Sequence, residues 1–522
     1  MAVFRDQQVP GSKVTLRTFL QRLLRLPAPT AGDRCSVMAE AFGHRLRRWK
    51  RLRRGGDFSG RVGVLVSPWV ETAVPYYSLE WALRLDQAGF SVEVLWDPED
   101  VIDSPHAEAE RSAIEATLAR LPGRIRVREL PRHISRRFEG DRELLDTVLF
   151  ENETRRANRE PAEWQVPDSE RFFDHAQRVL EMAREGNFDW LFVPGGIWGV
   201  TSLYWNACRQ LGIGLSTYDS GEKQICLHGD GPAAHFPDVV PAIRRLAAAV
   251  AANPAIMPEI ERWVRDRMAV REAGDDEFQL QPKWAAAVDA FDIVVPLNYR
   301  IDTAAMCRQR LFPSVNHWIR ALVEWALGRP DVKVIFRQHP CEKINAYRSG
   351  EDYSWINALN EPRLRFVSAE EPVNTYRLIR SCRVVAPYSS RVGLEAAILG
   401  KPVILAAKCY YDELECVRCP ETKEAYFSSL EHCCKEAPSQ SEELRRLAVI
   451  AYYVVERFTL LDTNFTPLYE DFQRWVIEPP DQLWKDPVVD MLFQSASRRQ
   501  PLSLRLLERE LETGQLRGDV HV

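Results

Sequence analysis

The strongest constraint on the fold is an alternation of short, β-branched apolar runs with longer stretches of helical period. It is clearest at "RVGVLVS" (Arg61–Ser67), apolar over too few positions for a helix. Such a run suits a strand buried on both faces, as in parallel sheets. In "PWVETAVPYYSLEWALRLDQAG", Leu79, Trp81, Ala82 and Leu85 then fall at helical spacing, and Gly89 supplies the stop. "FSVEVLW" (Phe90–Trp96) is a second strand, with Asp97 just beyond it. Strand, helix and strand at this spacing predict a βαβ unit of the doubly wound kind. The unit lacks GxGxxG, so it carries no dinucleotide fingerprint.

The alternation continues through a helix near His106–Arg120, the strand "RIRVREL", and a polar stretch around 132–170 that reads as an insertion. "FDWLFVPGGIWG" (Phe188–Gly199), a helix and "IGLSTYDSG" close a first module near Ala285. A second module is more regular. "FDIVVPL", "DVKVIFRQHP", "LRFVS", "RVVAPYSS" and "KPVILAA" predict five strands with helices between them. The expected architecture is α/β, with two Rossmann-like domains facing across a cleft and a helical C-terminal tail. The expected segments are 1–57, a basic amphipathic arm; 58–285, an acceptor domain; 286–452, a donor domain; and 453–522, the tail.

With 522 residues, 45% hydrophobic and 27% charged, the chain can bury cores for two or three domains. Its longest apolar runs, such as Leu447–Val455, are too short to span a bilayer, and no secretory leader is visible. The expected location is cytoplasmic. Charge is uneven. Residues 1–60 hold 13 Lys/Arg against 4 Asp/Glu, a balance of +9 that leaves −14 for the remainder of a chain whose net charge is −5. "HRLRRWKRLRRGG" (His44–Gly56) follows "LRTFLQRLLRL" (Leu16–Leu26), whose leucines and Phe19 recur at helical spacing. The pair suggests an arm on an anionic membrane surface, peripheral to the inner face of the cell membrane. Nucleic acid is not an expected partner, because the rest of the chain is acidic.

Two motifs carry chemistry. "FRQHPCE" places Arg337 and His339 at the carboxyl end of a strand, where open α/β sheets bind ligands. Arg337 can neutralise a phosphate, and His339 can hydrogen-bond one or act as an acid. In "YSSRVGLEAAILGKPVIL" (Tyr388–Leu405), Ser389 and Ser390 fall at a predicted helix N-cap. Free N–H groups there also favour an anion. Glu395 is a charge inside an otherwise apolar helix, placed one to two turns on, where a carboxylate can accept hydrogen bonds from ribose hydroxyls. For a base acting on an acceptor hydroxyl, "YDSGEKQICLHGDG" (Tyr218–Gly231) is the densest polar loop after a first-module strand. It offers Asp219, Glu222, His228 and Asp230, with Glu71 after the first strand as a rival. Cys409, Cys416, Cys419, Cys433 and Cys434 with His432 lack a second CxxC, so unlinked thiols are expected rather than zinc.

With these motifs in order, Asp292–Leu430 resembles the capsule polysaccharide biosynthesis family of glycosyltransferases, the Kdo-transferase-like capsule proteins of GT-B type. "LNYRIDT" and "YYDELECV…TKEAYFSSL" also fit, whereas the first module fits loosely. The resemblance implies a nucleotide-sugar donor held by the second module, without a cofactor, and an oligosaccharide or lipid-linked acceptor. It implies that His339, Ser389 and Ser390 contact donor phosphate and that Glu395 lies near the ribose. The pairing of His-Pro with two serines points to a CMP-linked acid sugar. A two-Glu retaining arrangement would need an acid at position 387, which is Pro387; Glu413 and Glu421 have the spacing but lie beyond the last strand. The alternatives are transfer of a polyol phosphate from a CDP-linked donor, and a non-catalytic polysaccharide-assembly scaffold that keeps the fold.

Overall fold

The computed structural model describes residues 31–50, 55–69, 72–99, 106–133, 139–156, 170–221, 224–229, 231–275, 280–283, 289–299, 302–343, 353–462, 469–477, 487–514 and 516. The chain divides into two units. The first holds 1–130, 220–224 and 463–485; the second holds 131–219, 225–462 and 486–522.

In the first unit, β1 (Arg61–Val66) pairs in parallel with β2 (Ser91–Trp96), and β2 with β3 (Arg126–Glu129). Five of the six residues of β1 and of β2 are buried, as the apolar runs require. The crossover helix Val74–Ala88 has Pro in its first turn and ends at Gly89, whose φ of 117° is open to glycine alone at low cost.

The basic arm is corrected here. Leu16–Leu26 lies outside the described residues, but His44–Trp49 closes a 19-residue helix, Ala31–Trp49. Cys35, Met38, Phe42, Leu46 and Trp49 recur every three or four residues, and all are buried. Arg45 is buried with them. Its guanidinium donates to both oxygens of buried Glu80 at 2.9 and 2.7 Å and lies 4.3 Å above the Trp475 ring. The Trp49 indole donates to the same carboxylate at 3.0 Å. Of the basic patch, Arg45 is therefore a buried, paired charge, whereas His44, Arg47, Arg48 and Lys50 are exposed.

The second unit holds two groups of strands. In the first, β4 (Trp190–Pro194) pairs in parallel with β5 (Gly214–Gly221) across the helix Thr201–Leu211. The chain then returns at once as β6 (Gln224–Gly229) beside β5. The segment read as a polar loop is thus largely the second strand of a hairpin. Its polar residues concealed the short run "ICL". In the second group, β7 (Ile293–Pro296), β8 (Val334–Arg337), β9 (Leu364–Val367) and β10 (Val384–Val385) form a parallel sheet in the order β10-β7-β8-β9. The expected fifth strand is reduced to single bridges at Val403 and Ile404, because Pro402 withholds a ladder donor. The three residues of β11 (Leu460–Asp462) adjoin β6.

The protein is thus α/β with parallel, Rossmann-like strand arrangements, as expected. Helix Val315–Leu327 starts at Ser314, whose hydroxyl accepts from the His317 N–H. The helical tail includes Pro487–Arg498 and Leu502–Thr513; Asp238 accepts from the N–H groups of Leu502 and Ser503 at 2.9 and 3.2 Å and so caps the latter helix from a distant part of the chain. No single helix among the described residues is long and apolar enough to cross a membrane.

Removing one partner of a fully buried ion pair strands the other charge, at about 3–5 kcal/mol. Glu80→Ala is expected to destabilise the first unit by about that much in urea unfolding, while Arg45→Met combined with Glu80→Leu recovers most of it. Equal losses in the single and double variants would sink this account of the pair.

Candidate functional site

The residues singled out after β8 and β10 converge on one pocket. Arg337, His339, Ser390 and Glu395 line it with Gln281, Thr375, Tyr376 and Arg391, and its volume is about 40 Å³. One water needs about 10–15 Å³ of such space, so there is room for a few heavy atoms. The pocket accepts a compact group rather than a whole nucleotide. Ser389 turns away: its hydroxyl accepts from the Asn298 side-chain amide, and its N–H donates to the same amide's oxygen, each at 3.3 Å.

Arg337 closes β8 and is 1% exposed. Its Nη1 donates to the Ser368 carbonyl. Nε and Nη2 are buried and meet no acceptor among the described residues. Burial pushes the guanidinium down to about 10, with Glu371 opposing, so it stays charged at neutral pH. A buried cation with two idle donors is costly unless something anionic completes it.

His339 follows two residues later and is partly exposed. Burial and the nearby Arg337 charge push its imidazole down to about 4, so the ring is neutral at pH 7. Its Nδ1 accepts from the Cys341 N–H at 3.2 Å, which leaves the proton on Nε2. Of the two roles the sequence allowed, hydrogen-bond donor and acid, the geometry supports the donor.

The N-cap reading is corrected. The helix is Val392–Ile398, its cap position is Arg391, and no side chain caps it. Ser390 lies one residue earlier; its carbonyl accepts from the Gly393 N–H at 3.0 Å and from the Tyr411 hydroxyl. A Cβ on Gly393 would stand 2.2 Å from that hydroxyl, so glycine lets Tyr411 reach Ser390.

Glu395 is 2% exposed, and each of its oxygens is engaged. Arg271 donates to one and the Tyr376 hydroxyl to the other, the latter at 2.9 Å. Arg271 also reaches both oxygens of Glu456 at 3.3 Å, while Arg391 and Arg267 pair with Glu456 as well. Glu395 is thus first a member of a buried ionic network, and only its remaining lone pairs face the pocket. Burial alone would raise Glu456, but Arg271, Arg391 and Arg267 together hold it at about 2. Sequence reasoning missed Arg271 and Glu456. A signal existed for Arg271: Ile260, Trp263, Val264 and Met268 form the buried stripe of helix Met257–Ala273, and Arg271 takes the next position on it.

Gln281 locks another wall. Its amide nitrogen donates to the Thr375 hydroxyl at 3.1 Å, and its oxygen accepts from the Thr375 N–H at 3.0 Å. Gly274, with φ of 80°, allows this approach, since a Cβ there would lie 2.3 Å from the Gln281 carbonyl oxygen.

Of the proposed bases, Glu71 and Glu222 lie outside the described residues, as does Asp230. His228 sits on β6 and Asp219 on β5. In the cysteine cluster, Cys409, Cys416, Cys433 and Cys434 are buried, and the Cys419 thiol accepts from Arg310 at 3.0 Å. No three His, Cys, Asp or Glu side chains among the described residues are placed to hold a metal.

No protein-family model matches the chain, and no curated protein matches it. Among solved structures it is similar to the β-Kdo 2,4-transferase of Thermosulfurimonas dismutans KpsC, at 12% identity over 51% of this chain and 79% of that one, with a TM-score of 0.32. The β-Kdo 2,7-transferase of the same protein gives 15% identity, 53% and 80% coverage, and a TM-score of 0.29. UDP-GlcNAc 2-epimerase from Neisseria meningitidis, bound to UDP-GlcNAc, gives 11% identity, 76% and 98% coverage, and 0.22. At such scores no residue of the pocket is equated with one of theirs.

The network makes stability depend on pH. A carboxylate held at about 2 in the fold, against 4.5 ordinarily, stabilises the protein above its ordinary pKa and loses that contribution as pH falls through 2. The difference corresponds to roughly 2–4 kcal/mol. Glu456→Gln is expected to be less stable than the parent by about that much at pH 7, with the gap closing between about pH 5 and pH 2. A gap that urea titrations find constant across this range would refute the assignment.

Proposed function

We propose that this chain is a glycosyltransferase that holds a nucleotide-activated sugar by its phosphate in the Arg337–His339–Ser390 pocket. The observation that carries the reading is Arg337, a buried cation with two donors lacking protein acceptors, beside a neutral His339 whose proton sits on Nε2. A guanidinium and an imidazole N–H among the residues lining one compact cavity suit a tetrahedral oxyanion. The cavity takes the phosphate, and the nucleoside and sugar extend beyond it.

The same donors serve catalysis. In transfer, the bond between the sugar's anomeric carbon and the phosphate oxygen breaks, and a bond forms from that carbon to the acceptor oxygen. Negative charge grows on the leaving phosphate, and Arg337 and His339, which line the cavity, are the donors proposed to stabilise it. The acceptor hydroxyl gives its proton to a base; Glu222, Glu71 and His228 are the proposed candidates. The CMP-linked acid sugar is the donor proposed, on the motif resemblance of the His339-Pro340 and Ser389-Ser390 pairs. Formation of a polysaccharide at the cell surface is the setting this donor fits.

Calorimetry with CMP, CDP, UDP and GDP tests the reading. CMP is expected to bind, and Arg337→Gln and His339→Ala are each expected to weaken it about tenfold or more, since hydrogen bonds to charged groups contribute about 1.5–3 kcal/mol. Because His339 stays neutral down to about pH 4, its contribution is expected to be level from pH 6 to 8. Absence of binding by all four nucleotides would leave the non-catalytic scaffold. A preference for UDP would discard the CMP-linked donor and keep the transferase.

A further inference from the structure

A second, larger concavity in the same unit is unused by the reading above. It encloses about 1000 Å³, at the upper end of ligand-site volumes. Five cations line it: Arg209, Arg308, Arg310, Lys408 and Arg499. Two acids, Asp412 and Glu413, line it with them, which leaves a surplus of three positive charges in a chain whose net charge is −5.

Among the described residues, most hydrogen bonds of these cations go to neutral groups. Arg308 Nη2 donates to the His235 carbonyl at 2.9 Å, and its buried Nε meets no acceptor among the described residues. Arg499 donates to the Gly212 carbonyl at 2.6 Å. Arg310 donates to the Cys419 thiol at 3.0 Å and reaches the exposed Glu421 only at 3.5 Å. Lys408 is exposed, and Arg209, also exposed, lies 5.5 Å from the Trp205 ring centre. Of the acids, Asp412 accepts from the Cys409 N–H at 3.3 Å and faces Arg308 and Arg310, and its partial burial raises its pKa. A wall with this surplus attracts anions more strongly than the scattered charges of an ordinary surface.

Aromatic side chains divide the cations. Trp205 packs edge-on to His235 with ring centres 6.0 Å apart, and Phe236 to Tyr410 at 5.1 Å. Trp205, Phe236 and Tyr410 all line the groove. Flat apolar faces and guanidinium forks in one lining match a chain whose units present both C–H faces and carboxylates. The groove also abuts the pocket: the Tyr411 hydroxyl donates to the Ser390 carbonyl, so the turn carrying Cys409 and Tyr410 is tied to Ser390.

We infer that this groove binds a glycan whose sugars carry carboxylates, as the acceptor chain for the neighbouring pocket. The role as acceptor rests on the donor reading above; the binding of an anionic glycan stands on the groove alone.

The test uses the full chain and three probes: hexagalacturonate, the neutral maltohexaose of equal length, and a uridylate hexamer. Hexagalacturonate is expected to bind, to weaken as salt rises, and to exceed maltohexaose by roughly tenfold or more. The exposed pair Arg209→Glu/Lys408→Glu is expected to weaken hexagalacturonate by roughly tenfold while leaving CMP affinity unchanged, which also reports that the variant is folded. Arg308→Gln is expected to act in the same direction. No hexagalacturonate binding, equal maltohexaose binding, or an unaffected double variant overturns the proposal, and so does tighter binding of the uridylate. Hexagalacturonate binding without CMP binding supports the groove and sinks the donor pocket.

Discussion

The candidate site depends on one buried cluster of charge. Arg271, Glu395, Glu456 and Arg391 lie together with the Tyr376 hydroxyl in a space from which water is largely excluded. Each acid answers more than one donor, and Arg271 spans both acids. Such a cluster is costly to desolvate and still more costly to break, so the four helices that contribute to it have little freedom to shift separately. Those helices are Met257–Ala273, Thr375–Ser381, Val392–Ile398 and Glu442–Phe458. Arg391 and Glu395 are at once members of the cluster and wall of the pocket. The pocket is rigid because its floor is an ionic lattice, rather than because its loops are short.

That arrangement leaves Arg337 in a different condition. The network satisfies its own charges internally, whereas Arg337 is anchored by a single carbonyl and keeps two donors unspent. Two buried arginines of this unit thus differ in kind. Arg271 is structural, since its acids are always present; Arg337, with Glu371 as its counter-charge, keeps two donors without an acceptor among the described residues, and the proposed donor phosphate would take them. His339 follows the same logic in neutral form. A protonated imidazole beside Arg337 would repel it, and the fold avoids this by burying the ring and using Nδ1 as an acceptor for the Cys341 N–H.

Much of the frame was legible in the sequence, because hydrophobic period is a local property. "RVGVLVS", "FSVEVLW" and "FDIVVPL" became β1, β2 and β7 with little change of boundary. The convergence of "RQHP" with "SSRVGLE" was legible too, since strand ends in a parallel sheet share one edge. The misreadings share a cause of another kind. "HRLRRWK" reads as a solvated basic run until Glu80, 35 residues on in the chain, buries Arg45. Glu395 reads as a free carboxylate until Arg271 arrives from 124 residues away. Ser389 reads as a cap until Asn298 claims it. A polar side chain's meaning depends on a partner that sequence periodicity does not encode.

The same principle explains why the cationic groove escaped notice in the sequence. Arg209, Arg308, Lys408 and Arg499 are far apart in the chain and form no charge run. They meet because the Thr201–Leu211 helix, the segment after β7 and the turn at Cys409–Asp412 border one concavity. A local excess of positive charge within an acidic chain is a tertiary property, and it opposes the compact state through self-repulsion. A surplus that costs stability and has no structural acceptor for Arg308 Nε is most economically explained by an anionic ligand that offsets it. On the proposed reading, the pocket and the groove divide the substrate problem by charge geometry: a compact cavity for one phosphate, and an aromatic and cationic wall for repeated carboxylates.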